Sequence, residues 1–247
     1  MRIVSLVPSL TELLFDLGGD IEVVGRTRFC IHPAGKIEEA ALVGGTKNPR
    51  IDRIRELKPD LVVLNREENR REDAEAIRGF APLLVTEIST VAQALEAITQ
   101  IGAATGTAET AGRLCADIRA VMPSPETYAP LRTAYLIWKK PLMSVGGDTY
   151  IHDVMRLFGF VNVFGPELRY PETSYAELAR RGTQLLLLSS EPYPFKDSDA
   201  AEAQQNIPNC LAVTADGEAF SWYGSRMLAA FAETRLFRTR IEARLFP

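Results

Sequence analysis

One order of elements occurs twice along this chain, and that duplication restricts its fold more than any single motif. Near the N-terminus Arg2-Ile3-Val4-Ser5-Leu6-Val7 reads as a strand. A helix ending Leu13-Leu14-Phe15-Asp16-Leu17-Gly18 follows, then the apolar run Ile21-Glu22-Val23-Val24-Gly25. The order returns with Thr133-Ala134-Tyr135-Leu136-Ile137-Trp138, a helix ending Val154-Met155-Arg156-Leu157-Phe158-Gly159, and Phe160-Val161-Asn162-Val163-Phe164-Gly165. Later in each half a helical stretch runs into a buried strand, at Leu57-Lys58-Pro59-Asp60-Leu61-Val62-Val63-Leu64 and at Ala179-Arg180-Arg181-Gly182-Thr183-Gln184-Leu185-Leu186-Leu187-Leu188. Alternating strands and helices predict parallel sheets covered by helices on both faces. Two similar α/β lobes predict a cleft between them, the usual place for a small ligand.

The 247 residues are enough for two lobes with their own cores. A net charge of −4 argues against a nucleic-acid partner, which needs a basic face. No apolar run approaches the roughly 20 residues that span a bilayer. Arg2 leads directly into a strand, without the apolar stretch of a secretory leader. The expectation is a cytoplasmic protein, or one whose leader is trimmed. Cys30, Cys115 and Cys210 are odd in number and far apart, so no disulfide framework is expected. Nothing in the pattern demands a dimer, and a monomer is expected.

The first lobe is placed at residues 1–106 and the second at 126–247, with a single long, rigid helix at 107–125 joining them. Ala111, Leu114, Cys115, Ile118, Val121 and Met122 give that helix one apolar face. Pro123-Ser124-Pro125 stops it. Ser9-Leu10-Thr11-Glu12 has capping-box spacing for the first helix.

In open parallel sheets ligands bind beyond the carboxyl ends of the strands. Those ends supply Ser9, Arg28, Lys47, Asn48, Asn65 and Arg66 from the first lobe. The second supplies Trp138, Tyr150, Tyr193, Phe195, Trp222, Tyr223 and Arg226. A polar, basic half facing an aromatic half suits a large planar ligand with polar edges. Trp138 ends a strand and reads equally well as core, whereas Trp222-Tyr223, between Ser221 and Gly224, reads as a loop contact.

Cys30-Ile31-His32 brings a thiol and an imidazole close in sequence, a pair suited to a soft metal. Two ligands do not close a zinc site, which takes four. The loop is read as a metal site, as a contact to a ligand's own metal, or as ordinary structure. Signals of catalysis are weak. Gly44-Gly45 and Gly146-Gly147 lack the Lys-Ser/Thr of a phosphate loop, and no nucleophile elbow is present. The chain reads as a non-enzyme with no resident cofactor.

The opening Ile3-Val4-Ser5-Leu6-Val7-Pro8-Ser9-Leu10-Thr11-Glu12, the Val23-Val24-Gly25-Arg26 turn and Leu57-Lys58-Pro59-Asp60-Leu61-Val62 resemble one group of ABC-importer substrate-binding proteins. These are the helical-backbone, or class III, proteins that carry cobalamin, ferric siderophores, haem or metal ions. The resemblance covers nearly the whole chain and is nearest the cobalamin branch. It implies a corrinoid or metal chelate as transported ligand, a periplasmic location, and an ABC permease in the membrane as partner. Acidic residues on the two lobes would dock on that permease, at Glu68 or Glu72 in the first and Glu202 or, second, Glu191. The alternatives are a cytosolic corrinoid or chelate sensor or chaperone on the same fold, and an enzyme using Cys30.

Overall fold

Ile3, Val4 and Ser5 are buried in sequence, and a strand covered on both faces belongs inside a parallel sheet. The computed structural model describes residues 1–124 and 126–246. They form two compact units. The first comprises Met1–Ile88, Ala92–Ala120 and Trp222–Leu228; the second comprises Ser89–Val91, Val121–Ser221 and the chain from Ala229.

The first half runs β1 (Arg2–Ser5), α1 (Pro8–Leu17), β2 (Glu22–Arg26), a 3-10 turn (Ile37–Glu39), β3 (Ala41–Leu42), α2 (Ile51–Glu56), β4 (Leu61–Asn65), α3 (Arg71–Arg78), β5 (Leu83–Thr86), α4 (Val91–Thr105) and α5 (Ala108–Val121). Its strands pair in parallel in the order β3-β2-β1-β4-β5. All five residues of β4 are buried. Val4, Val24, Val62 and Leu64 pack with Ile54 of α2 and Ile77 of α3 to form the core on one face.

The Lys-Pro-Asp segment joins the edges of this arrangement. Asp60 Oδ2 accepts the Arg2 backbone N–H at 2.7 Å, and the Asp60 N–H donates to Arg2 O at 2.8 Å. The Arg2 guanidinium returns to Leu57 O at 2.9 Å. The motif therefore pins the start of β1 to the turn before β4.

The second half runs β6 (Leu131–Leu136), β7 (Trp138–Lys139), β8 (Leu142–Met143), α6 (Tyr150–Leu157), β9 (Phe160–Asn162), β10 (Glu172–Thr173), α7 (Tyr175–Arg180), β11 (Leu185–Ser189), α8 (Asp197–Asn206), β12 (Leu211–Ala215), α9 (Gly217–Ser221) and α10 (Met227–Leu245). Its parallel sheet has the order β12-β11-β6-β9, the same path as β5-β4-β1-β2. The duplication read in the sequence is thus a duplication of topology. Strands β10, β8 and β7 add a small antiparallel sheet.

Three expectations change. Helix α1 begins at Pro8 with Val7 as a cap that offers no side-chain bond, so Ser9 and Glu12 form no capping box. Strand β6 ends at Leu136, and Trp138 opens the separate strand β7. The single joining helix expected at 107–125 is α5, which ends at Val121; through Ala120 it belongs to the first unit. The boundary at Pro125 lies outside the described residues. Helix α5 packs on α4 so closely that a Cβ on Gly102 would stand 2.4 Å from Ala111 Cβ. Ala111, Cys115 and Ile118 form its buried face, and Cys115 is core, as its spacing implied.

Candidate functional site

Two chain segments meet at α1 in the first unit. One is the loop after β2. Arg26 holds it by donating Nε to Ile37 O at 2.8 Å and Nη1 to Cys30 O at 3.2 Å. Cys30 is fully buried, its sulfur 3.1 Å from the Thr11 hydroxyl and 3.2 Å from that of Thr27. Burial pushes the Cys30 thiol up, against the pull of those hydrogen bonds, and the Glu68 charge adds to the rise. The flanking Phe29 and Ile31 are 46% and 51% exposed. The Arg28 guanidinium lies 4.8 Å over the Phe29 ring.

The other segment is Trp222–Leu228, which leaves α9 and packs on α1. Gly224 makes this possible. Its φ is +104°, and a Cβ there would stand 3.3 Å from both Ser9 O and Leu13 Cβ. Arg226 then donates Nε to Glu12 Oε2 at 2.8 Å and Nη2 to Glu12 Oε1 at 2.7 Å, a bidentate pair. The same guanidinium lies 5.0 Å over the Trp222 ring. His32 meets Trp222 at 5.4 Å with an interplanar angle of 77°. Tyr223 donates its hydroxyl to Glu68 Oε1 at 3.1 Å. Burial first, and then the Glu68 charge, hold the Tyr223 phenol well above its ordinary range, so it stays protonated.

Sequence reasoning named Trp222, Tyr223, Arg226, His32 and Ser9, and the structure brings all of them to α1. It missed Glu12, whose spacing disguised it as a cap, and the exposed pair Phe29 and Ile31. Two large apolar side chains in a loop beside Arg28 were the available signal.

The remaining first-unit residues divide. Lys47 donates Nζ to Glu67 O at 2.5 Å, and Asn48 is exposed in the turn that Gly45 closes. Arg66 pairs with Glu87. Asn65 is buried and hydrogen-bonded. It is 1% exposed; its Oδ1 accepts from Glu67 N at 2.8 Å and its Nδ2 donates to Thr86 Oγ1 at 3.1 Å. A side-chain amide satisfied this way organises the turn after β4.

In the second unit Trp138 is 40% exposed and donates Nε1 to Lys140 O at 3.1 Å. Tyr193 meets it edge-on at 5.8 Å and packs against Phe195 at 4.7 Å. Phe195 is buried in the core with Leu136, Phe164, Leu178 and Leu186. Tyr150 is buried at the start of α6, after the Thr149 cap. Glu202 accepts from Lys139 Nζ at 2.8 Å, and Glu191 Oε1 accepts from Ser221 at 2.8 Å. Glu72 is exposed in the first turn of α3.

Cys30 and His32 have separate neighbours. Among the described residues no three His, Cys, Asp or Glu side chains gather where a metal ion would be held. The first-unit cluster holds a ring, an imidazole edge and a guanidinium in place, with exposed apolar groups beside them.

The family model for periplasmic binding proteins matches residues 3–180. This chain belongs to that family. The vitamin B12-binding protein of Pectobacterium atrosepticum is 25% identical over 243 residues, covering 93% of this chain and 85% of that protein. A periplasmic haem-binding protein from Roseiflexus sp. RS-1 superposes with a TM-score of 0.79 at 18% identity, over 97% of this chain and 98% of its own. The periplasmic vitamin B12-binding protein of Vibrio cholerae does so with a TM-score of 0.77 at 20% identity, over 98% and 97%. The two structural likenesses establish the fold; the family model carries the membership.

Proposed function

We propose that the protein is the solute-binding component of an ABC importer, working in the periplasm, and that its cargo is a corrinoid or a haem-like metal chelate. The observation that carries this reading is the Trp222–His32–Arg226 cluster fixed on α1 beside exposed Phe29 and Ile31. It lies near the start of α1, which follows β1, so the cluster is close to the carboxyl end of the first sheet, where parallel sheets bind ligands. An aromatic face with edge polar groups complements a macrocycle carrying polar side arms. Arg28 and Lys47, from the same unit, are candidate further contacts.

The duplicated topology supports a matched pair of docking acids. Helix α3 follows β4 as α8 follows β11, and Glu72 and Glu202 are exposed on those helices. In the first unit Glu72 is favoured, because Glu68 accepts from Tyr223; in the second, Glu191 and Glu202 both accept hydrogen bonds, from Ser221 and Lys139, and Glu202 is preferred for its place on α8. A nucleophilic role for Cys30 is disfavoured by its burial and raised pKa, because the thiolate is the reactive form.

The test is a side-by-side titration with cyanocobalamin, haemin, a ferric siderophore and zinc chloride, read by tryptophan fluorescence and melting temperature. Saturable quenching with a raised Tm for one chelate is expected. A response to zinc alone would make this a metal-ion receptor, and no response to any of the four would overturn the cargo assignment.

A further inference from the structure

A cavity lies wholly within the second unit, under the C-terminal helix. Its volume is about 520 Å³, inside the range of small-molecule sites. Val213 of β12, Ala219 and Phe220 of α9, and Phe237 and Ile241 of α10 give it an apolar wall. On α10, Thr234, Phe237, Ile241 and Arg244 follow at spacings of three, four and three, which puts them on one face of the helix.

Thr234 is the informative residue. It is 2% exposed, and its hydroxyl has no hydrogen-bond partner among the described residues. A helical threonine ordinarily donates to the carbonyl four residues back. Thr99, Thr105 and Thr239 do so, at 3.0, 2.8 and 3.2 Å. Thr234 lines the cavity, yet its hydroxyl is unpaired and closed to solvent, and burying such a group is unfavourable until something bonds to it.

Charge gives the occupant its polarity. Arg240 and Arg244 line the cavity, and among the described residues neither has a carboxylate partner. Two acids also line it. Asp216 already accepts the Glu218 amide at 3.0 Å. Glu233 lies seven residues before Arg240, about 10 Å along the helix, so it does not neutralise the arginine end.

We infer that this cavity binds an amphiphilic carboxylate of medium chain length, with its tail against Phe220, Phe237 and Ile241 and its carboxylate at Arg240 and Arg244. A turn of the Thr234 side chain about χ1 brings its hydroxyl to the ligand or to a water carried in with it. This site is independent of the chelate reading, and its ligand is neither a corrinoid nor a metal.

Calorimetric titration of the full chain with decanoate tests it, with decyltrimethylammonium as the charge-reversed control. One saturable decanoate site is expected, with no site for the cation. The double variant Arg240→Gln/Arg244→Gln should bind decanoate about tenfold or more weakly, the scale of a lost charge-assisted hydrogen bond. Ile241→Trp should fill the cavity and abolish binding. Thr234→Val, close in shape, should raise the Tm of the unliganded protein and weaken decanoate binding. Absence of a saturable site, equal affinity in the double variant, or equal binding of the cation would each overturn the proposal, as would an unchanged Tm in Thr234→Val.

Discussion

Arg226 and Glu12 stand 214 residues apart in the chain, yet both oxygens of the carboxylate accept from the one guanidinium, at 2.8 and 2.7 Å. Their side chains are 22% and 16% exposed, so the pair is only partly screened by water. A double-mutant cycle with Arg226→Gln and Glu12→Gln should return a coupling of about 1–2 kcal/mol by urea denaturation. Arg226→Lys should recover little of it, because an ammonium does not reproduce the planar fork.

Gly224 is the turn that lets Arg226 reach Glu12. With φ at +104° and Ser9 O and Leu13 Cβ each 3.3 Å from a built Cβ, alanine is strained there and has no room to relax. Gly224→Ala should destabilise by more than about 1 kcal/mol in the same assay. Gly112→Ala, with nothing near its Cβ and a helical conformation, is the matched control and should be neutral or stabilising.

Trp222 and His32 touch but should respond differently. Trp222 is 8% exposed, so Trp222→Ala should cost about 3 kcal/mol of stability as well as ligand affinity. His32 is half-buried, and His32→Ala should cost less than about 1 kcal/mol. A loss of chelate affinity in His32→Ala with an unchanged urea midpoint identifies the ligand face of the cluster.

All three thiols are buried, with Cys30 pushed up by desolvation and Cys210 pushed up to about 12 by the same cause. Iodoacetamide near pH 8 should therefore alkylate none of them in the native protein, by intact mass, and all three in urea.

Lys139 and Asp199 give a pH signature. The hydrogen bond from Lys139 holds the Asp199 carboxyl below its ordinary value, so the folded chain binds fewer protons there than the unfolded one. That contribution is complete above about pH 4 and disappears as pH falls below it. The lysine is raised by Asp199 and then Glu202, so its contribution is complete below its ordinary value of 10.5 and is lost at higher pH. Asp199→Asn should lower the Tm at pH 7 and have a shrinking effect as pH falls below about 4.

Much of the fold was legible because its signals are local. The fully buried strands β4 and β11 are unbroken apolar runs, and their recurrence gave two matching parallel sheets, though not the order of strands within them. The two-residue strands β3, β7, β8 and β10 were not legible, since two residues carry no periodicity. Trp138 was assigned to the wrong strand for that reason. Residues that organise a turn and residues that line a ligand site have the same composition, so the sequence could not show that the Asn65 amide is engaged within the turn after β4. Glu12 was invisible as a partner of Arg226, because nothing local records a pairing made across most of the chain.

The return of Trp222–Leu228 to the first unit also bears on how the protein is made. The ribosome finishes the main run of that unit at Ala120, then synthesises roughly a hundred residues of another unit before releasing the piece that covers α1. At about 5–20 residues per second, the nascent first unit waits on the order of ten seconds with its α1 surface uncovered. A chaperone that shields that surface during the delay would act on the same residues proposed to recognise cargo.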